Sequence, residues 1–149
     1  MSFVMTSRES RNMEKTQTTL ESTLDSVDRA EELVVAEAGK AGFDEEEQSQ
    51  IGMAIRECMV NAVVHGNRYN KNKKVYLEIE RAKDSLTVTV GDEGEGFDIN
   101  SLPDPLAPEN LLRQSGRGIL LIKAFMDEFD AHLRAGGGTE VRMIKRLPK

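Results

Sequence analysis

One stretch constrains the fold more than any other: Ile51 to Asn67, IGMAIRECMVNAVVHGN. At 100° per residue it is a helix with two unlike faces. Ile51, Ile55, Cys58, Met59 and Ala62 form an apolar stripe that must lie on a core. Glu57, Asn61 and His65 recur at i, i+4 and i+8 and share another face. Val60, Val64 and Met53 flank that face on its far side. A carboxylate and a carboxamide one turn apart, with apolar residues on both sides, read as a walled site. The ordinary solvated face of a helix is the other reading, and this stretch alone leaves both open.

At 149 residues the chain has the size of a single domain and can bury one good core. Its net charge of -6 excludes a wide basic surface, so no nucleic-acid partner is expected. The single cysteine, Cys58, lies on the apolar stripe and cannot close an internal disulfide. It reads as a small buried hydrophobe rather than a catalytic thiol. A reducing, cytoplasmic setting fits that usage. No apolar run approaches the ~20 residues that span a bilayer, so no membrane partner is expected. Residues 1–13 are polar and non-periodic, lack the apolar run of a signal peptide, and read as a flexible leader.

Residues 14–149 read as one domain. Thr16 to Thr23 is polar and β-branched, which suits an edge strand. A helix over Val27–Lys40 turns Val27, Ala30, Leu33, Val34, Ala38 and Ala41 inward, with Ser26 as its cap and Gly39 and Gly42 as its stop. Asp44 caps the long helix, with Glu47 at the capping-box position and Glu45 and Glu46 beside it in the first turn. Val75–Arg81 and Leu86–Val90 alternate as a hairpin. Phe97 to Gly116 holds three of the four prolines and no clear period, as a functional lid would. Ile119–Phe129 returns to helical spacing, with Ile119, Ile122, Phe125 and Met126 as its buried set. Ala131–Arg134 and Thr139–Leu147 form a second hairpin about Gly136–Gly138. This order gives an α/β, two-layer sandwich: a mixed, mostly antiparallel sheet with helices on one face.

Two glycine-bearing loops flank the lid. Asp92 to Asp98, DEGEGFD, follows a strand. Its glycines let backbone approach a ligand closely, and Asp92 can accept a hydrogen bond from an amine-bearing group. Ser115 to Leu121, SGRGILL, opens a helix, where backbone N–H groups and the dipole favour an anion and Arg117 adds positive charge. This is what a nucleotide phosphate needs, although it is neither a Walker A loop nor a dinucleotide fingerprint. Taken alone, each loop is equally an acidic turn or an ordinary helix start, and Gly136–Gly138 an ordinary hairpin tip.

The combination is more specific. It runs E-x-x-x-N-A-x-x-H-G, D-x-G-x-G-F, G-x-G at a helix start, then G-G-T before the last strand. In that order the motifs resemble the GHKL superfamily of ATP-binding domains over about residues 14–147. Within it, the stretch DPLAPENLLRQSGRGILLI is similar to the lid and second glycine box of stand-alone anti-sigma factor serine kinases. The resemblance implies the Bergerat-type fold, ATP and Mg2+ as cofactors, and a role for each matching residue. Asn61 would hold the magnesium. Asp92 would receive the adenine amine, with Gly94, Gly96 and Phe97 about the base. Ser115, Gly116, Arg117, Gly118 and Ile119 would cradle the phosphates, with Arg117 also serving catalysis. Thr139 would support the adenine end, and Glu57 would be the general base. His65 and Asn67 align with the end of the same motif. His132 has no motif around it and reads as structural.

Elementary chemistry supports the role of Glu57. A serine hydroxyl is a poor nucleophile and gains from a positioned base, whereas a histidine acceptor is nucleophilic near neutral pH. The function implied is an anti-sigma factor that binds a sigma factor and phosphorylates an anti-anti-sigma (STAS-type) protein on Ser or Thr, as a homodimer. Two alternatives stand beside it: an ATPase of the same superfamily, with Glu57 activating water, and a binding module that uses nucleotide without turnover.

Overall fold

The computed structural model describes residues 14–94 and 114–148. In chain order they form β1 (Glu14–Glu21), α1 (Leu24–Ala41), α2 (Glu45–Val60) with a π-helical continuation (Asn61–Gly66), β2 (Lys74–Arg81), β3 (Ser85–Gly91), α3 (Gln114–Phe125), β4 (Glu128–Leu133) and β5 (Thr139–Arg146). The strands make one five-stranded sheet in the order β1-β2-β3-β5-β4. Every neighbouring pair among the described strands is antiparallel, so the sheet is not mixed. Connectivity explains this. Two helices separate β1 from β2, so the chain re-enters the sheet in the opposite sense. The crossover through α3 places β4 outside β5 rather than beside β3.

Alternation along the strands selects one face. Val75, Leu77 and Ile79 on β2, Leu86, Val88 and Val90 on β3, and Met143 on β5 are buried. Against them lie Val27, Ala30, Val34 and Ala38 of α1, Ile51, Ala54, Ile55, Cys58 and Met59 of α2, and Ile122 of α3. Each fully buried aliphatic side chain contributes about 1.5–3 kcal/mol relative to exposure. Gly52 is buried where α1 crosses α2; a Cβ there would meet Val35 Cγ2 at 3.0 Å. The opposite face of the sheet carries polar residues such as Glu78, Glu80, Thr87 and Thr89.

Several boundaries differ from the sequence reading. Thr23, not Ser26, caps α1: Thr23 is extended, and its hydroxyl oxygen accepts the Ser26 N–H while Ser26 is already helical. Gly42 alone ends that helix, at φ 103°, with N–H groups of Gly42 and Phe43 bonding the carbonyls of Gly39 and Ala38. Gly39 stays helical. The capping box of Asp44 and Glu47 is present in full. α3 is described from Gln114 and stops at Phe125. Glu128 and Phe129, which fit the helical spacing, instead pair with Ile144 and Met143 across the sheet, where the ladder outweighs local pattern. The leader, residues 1–13, and lid residues 97–113 lie outside the described residues.

Candidate functional site

The site grows from the last turns of α2. Its apolar stripe is as the periodicity predicts: Ile51, Ile55, Cys58, Met59 and Ala62 are all buried. Glu57 and Asn61, one turn apart, are half-buried on another face. Val60 and Val64 pack beside the core, whereas Met53 is exposed. After Asn61 the helix widens. The Asn67 N–H reaches the Ala62 carbonyl at 2.8 Å, a π-type bond from i to i-5. His65 lies within the widened turn and is exposed.

That turn delivers Gly66 and Asn67 to the rest of the site. Asn67 is 1% exposed. Its carboxamide donates to Ser22 Oγ at 2.8 Å and to the Lys74 carbonyl at 3.0 Å, and accepts the Glu93 N–H at 2.8 Å. One side chain thus ties the end of β1, the start of β2 and the loop after β3. The Glu93 carboxylate in turn accepts the Lys74 N–H, which with the Tyr76 hydroxyl holds it below its ordinary range. Beyond Asn67, Arg68 and Tyr69 take left-handed φ values of 52° and 59°, a strained reversal that Tyr69 N–H anchors to the Val63 carbonyl.

Asp92 is the centre. It follows the end of β3 and is 5% exposed. Its Oδ1 accepts the N–H groups of Gly94, at 2.9 Å, and Thr139, at 3.1 Å. Its own N–H donates to the Thr139 carbonyl at 2.9 Å. Burial pushes the carboxyl above the ordinary aspartate range, against these two bonds and the charges of Arg134 and Lys73. Three glycines crowd around it. A Cβ on Gly66 would run into Asp92 Oδ2, one on Gly94 into the Gly66 carbonyl, and one on Gly138 into the Asp92 carbonyl. Gly138 also sits at φ 98°, a conformation side chains rarely adopt. Gly136 and Gly137 fit a hairpin tip, with open space around them; Gly138 does more, closing on Asp92.

The structure therefore brings Asp92, Gly94 and Thr139 together and packs the end of the long helix on them. Cys58 marks the seam: burial, then the nearby Asp92 charge, pushes its thiol up to about 12, so it is an inert core group. Ser115, Gly116, Arg117 and Gly118 fall in the first turns of α3, and Ile119, half-buried, follows them. Gly96 and Phe97 lie outside the described residues. His132 is exposed on β4, its ring nitrogens within 3.2 Å of Asp130 and 2.8 Å of Glu140, which raise its pKa. Sequence reasoning left Asn67 without a role and missed Ser22, Glu93, Tyr76 and Arg134. Only Asn67, a polar residue just past a helix end, carried any signal.

The histidine kinase-like ATPase domain matches residues 20–145 of the chain. The chain belongs to that family. An anti-sigma F factor of Oceanobacillus iheyensis is 34% identical over 108 residues, 70% of this chain and 73% of that protein. A serine-protein kinase RsbW of Staphylococcus epidermidis is 34% identical over 125 residues, 78% of this chain and 74% of that one. Among solved structures, a Mycobacterium tuberculosis chain with RsbU and RsbW domains superposes with a TM-score of 0.63 at 18% identity, covering 90% of this chain and 32% of that one. The catalytic domain of the histidine kinase ThkA gives 0.56 at 14% identity, covering 91% and 99%. These two likenesses speak to the fold, a histidine kinase-like sandwich. No described helix is long and apolar enough to cross a membrane.

Proposed function

We propose that this family member is an anti-sigma factor with ATP-dependent serine/threonine kinase activity, which binds a sigma factor and phosphorylates an anti-anti-sigma (STAS-type) protein. The observation that carries it is the buried, glycine-ringed Asp92, a carboxylate that folding disfavours and that an adenine amine would satisfy. The identity to a serine-protein kinase over 78% of the chain supports the choice of acceptor. Residues 14–149 act as one unit, with a lid over about 97–116. A homodimer in the cytoplasm completes the reading.

The residues fit a nucleotide with Mg2+. Asn61 offers a half-buried carboxamide oxygen, a hard donor of the kind magnesium takes from protein while phosphates and water supply the rest. Bound Mg2+ would neutralise phosphate charge. Asp92 receives the base amine, with Thr139 and Gly94 holding its Oδ1. Gly96 and Phe97 would border the base, and Ser115, Gly116, Arg117, Gly118 and Ile119 would line the phosphates. Glu57, one turn before Asn61, takes the proton of the acceptor hydroxyl as its oxygen bonds to the γ-phosphorus and ADP departs.

The test is phosphate transfer from γ-labelled ATP with Mg2+ to candidate anti-anti-sigma proteins of the same genome. Wild type labels one of them on Ser or Thr. Glu57→Ala binds ATP normally and transfers at least about 100-fold more slowly, the loss of a positioned base. Asn61→Ala loses the Mg2+-dependent part of binding. Nucleotide bound with no protein labelled would replace the kinase by a binding module. Phosphate released to water without any partner would replace it by an ATPase.

A further inference from the structure

One side chain outside the recognised motifs ties together the wall behind Asp92. Arg134 follows β4 and opens the turn that carries Gly136–Gly138. Its N–H donates to the Gly138 carbonyl at 2.8 Å, its carbonyl accepts the Gly137 N–H at 3.0 Å, and its Nη1 donates to the Gly137 carbonyl at 3.2 Å. The side chain then runs back across the outer face of the sheet. It passes over Gly91, where a Cβ would meet Arg134 Cδ at 3.4 Å. The guanidinium ends over the Tyr76 ring, 4.5 Å from its centroid. Tyr76 and Gly91 are register partners on β2 and β3. Arg134 thus straps the β4–β5 turn to β2 across β3.

Both ends of the strap reach the Asp92 loop. Through the turn, Gly138 packs on the Asp92 carbonyl and the next residue, Thr139, donates to Asp92 Oδ1. Through the ring, Tyr76 lies close enough to the carboxylate of Glu93, the neighbour of Asp92, to help hold that acid below its ordinary range. The positive charge of Arg134, with that of Lys73, also favours ionised Asp92 against its burial. A glycine at 91 is what leaves the path open. An arginine held at four points at the rim of a site, with its stem across a side-chain-free strand residue, does more than solvate a surface.

We propose that Arg134 is a positioning residue for base recognition: its strap from the Gly136–Gly138 turn to Tyr76 fixes the Asp92 carboxylate where it discriminates adenine from guanine. The inference rests on the nucleotide reading of the site. Adenine presents an amino donor where guanine presents a carbonyl acceptor. A fixed carboxylate accepts from the first and repels the second, whereas a loose one tolerates both.

The experiment measures ATP and GTP affinities by calorimetry, with Mg2+, for wild type, Arg134→Met, Arg134→Lys and Tyr76→Leu. Arg134→Met keeps most of the stem and removes the fork and the charge. The ATP-to-GTP preference falls at least about tenfold in Arg134→Met and in Tyr76→Leu, and Arg134→Lys recovers part of it. Thermal unfolding of the same variants shows that the proteins are folded. Equal losses for both nucleotides, or an unchanged ratio, overturn the strap while leaving the nucleotide site standing. Wild type that binds neither nucleotide overturns the nucleotide reading, and the strap with it.

Discussion

Asp92 is the residue where stability and binding pull apart. Burial holds its carboxyl above the ordinary range, so the native state keeps that proton to higher pH than the unfolded chain does. By linkage the ionised group costs stability above its native titration, and the cost vanishes in acid, below the ordinary value of 3.8. Asp92→Asn should therefore be as stable as wild type or more so at neutral pH by urea unfolding, because an amide oxygen still accepts the Gly94 and Thr139 N–H groups. Its amide nitrogen would face the base amine donor to donor. Adenine-nucleotide affinity should drop about 10- to 150-fold, the value of one charged hydrogen bond. Wild-type affinity should fall as pH drops through the Asp92 titration, and the Asn variant should lack that dependence. A variant that unfolds, or binds as before, would contradict this account. Asp92 stood out in the sequence only through the order of motifs around it, because DEGEG alone reads equally as an acidic turn. Asn67 did not: its partners Ser22, Lys74 and Glu93 come from three separate segments, and no spacing announces them.

At the level of elements, periodicity reported burial faithfully and handled exceptions poorly. The stripe on α2 and the alternation of β2 and β3 are direct consequences of the 3.6 and 2.0 repeats, and both were readable. The π turn over Asn61–Gly66 was not, since nothing in NAVVHG distinguishes a bond to i-4 from one to i-5. Its consequence is the placement of Gly66 against Asp92. Two helical glycines test this. Gly66→Ala should cost about 1–3 kcal/mol, the range for overpacking, and weaken nucleotide binding, because the new methyl displaces the Asp92 carboxylate. Gly39→Ala should stabilise by about 0.5–1 kcal/mol, since it is exposed in α1 and the nearest atoms to a Cβ there are those of the Gln48 amide, no nearer than 3.6 Å. Denaturant midpoints at unchanged slope decide both. Equal effects would mean that the π turn does not press on Asp92.

For the whole molecule, the sheet order and the one-sided helical layer were legible because hairpins and helix pairs leave few ways to close an antiparallel sheet. What sequence order could not give was convergence: the end of α2, the end of β3 and the β4–β5 turn meet at one end of the sheet, and only the folded sheet brings Gly66, Asp92 and Gly138 within contact. That convergence makes the site a brace across the domain, so a ligand there should stabilise the entire fold. Binding to the native state alone adds about 2.7 kcal/mol at 100 times Kd. For a domain of this size each kcal/mol moves the melting temperature by about 2–4 °C, so saturating ATP with Mg2+ should raise Tm by about 5–10 °C. EDTA should remove part of the gain. Asn61→Ala should show the reduced gain even with Mg2+ present if, as proposed, its carboxamide holds the ion. Glu57→Ala should keep the full gain if, as proposed, Glu57 acts on the acceptor hydroxyl and not on the nucleotide. Asp92→Asn should lose most of it. Scanning calorimetry of the four proteins with and without EDTA separates base recognition, metal binding and proton transfer in one series. A Glu57→Ala protein that lost the gain as Asn61→Ala does would move Glu57 from the base to the metal.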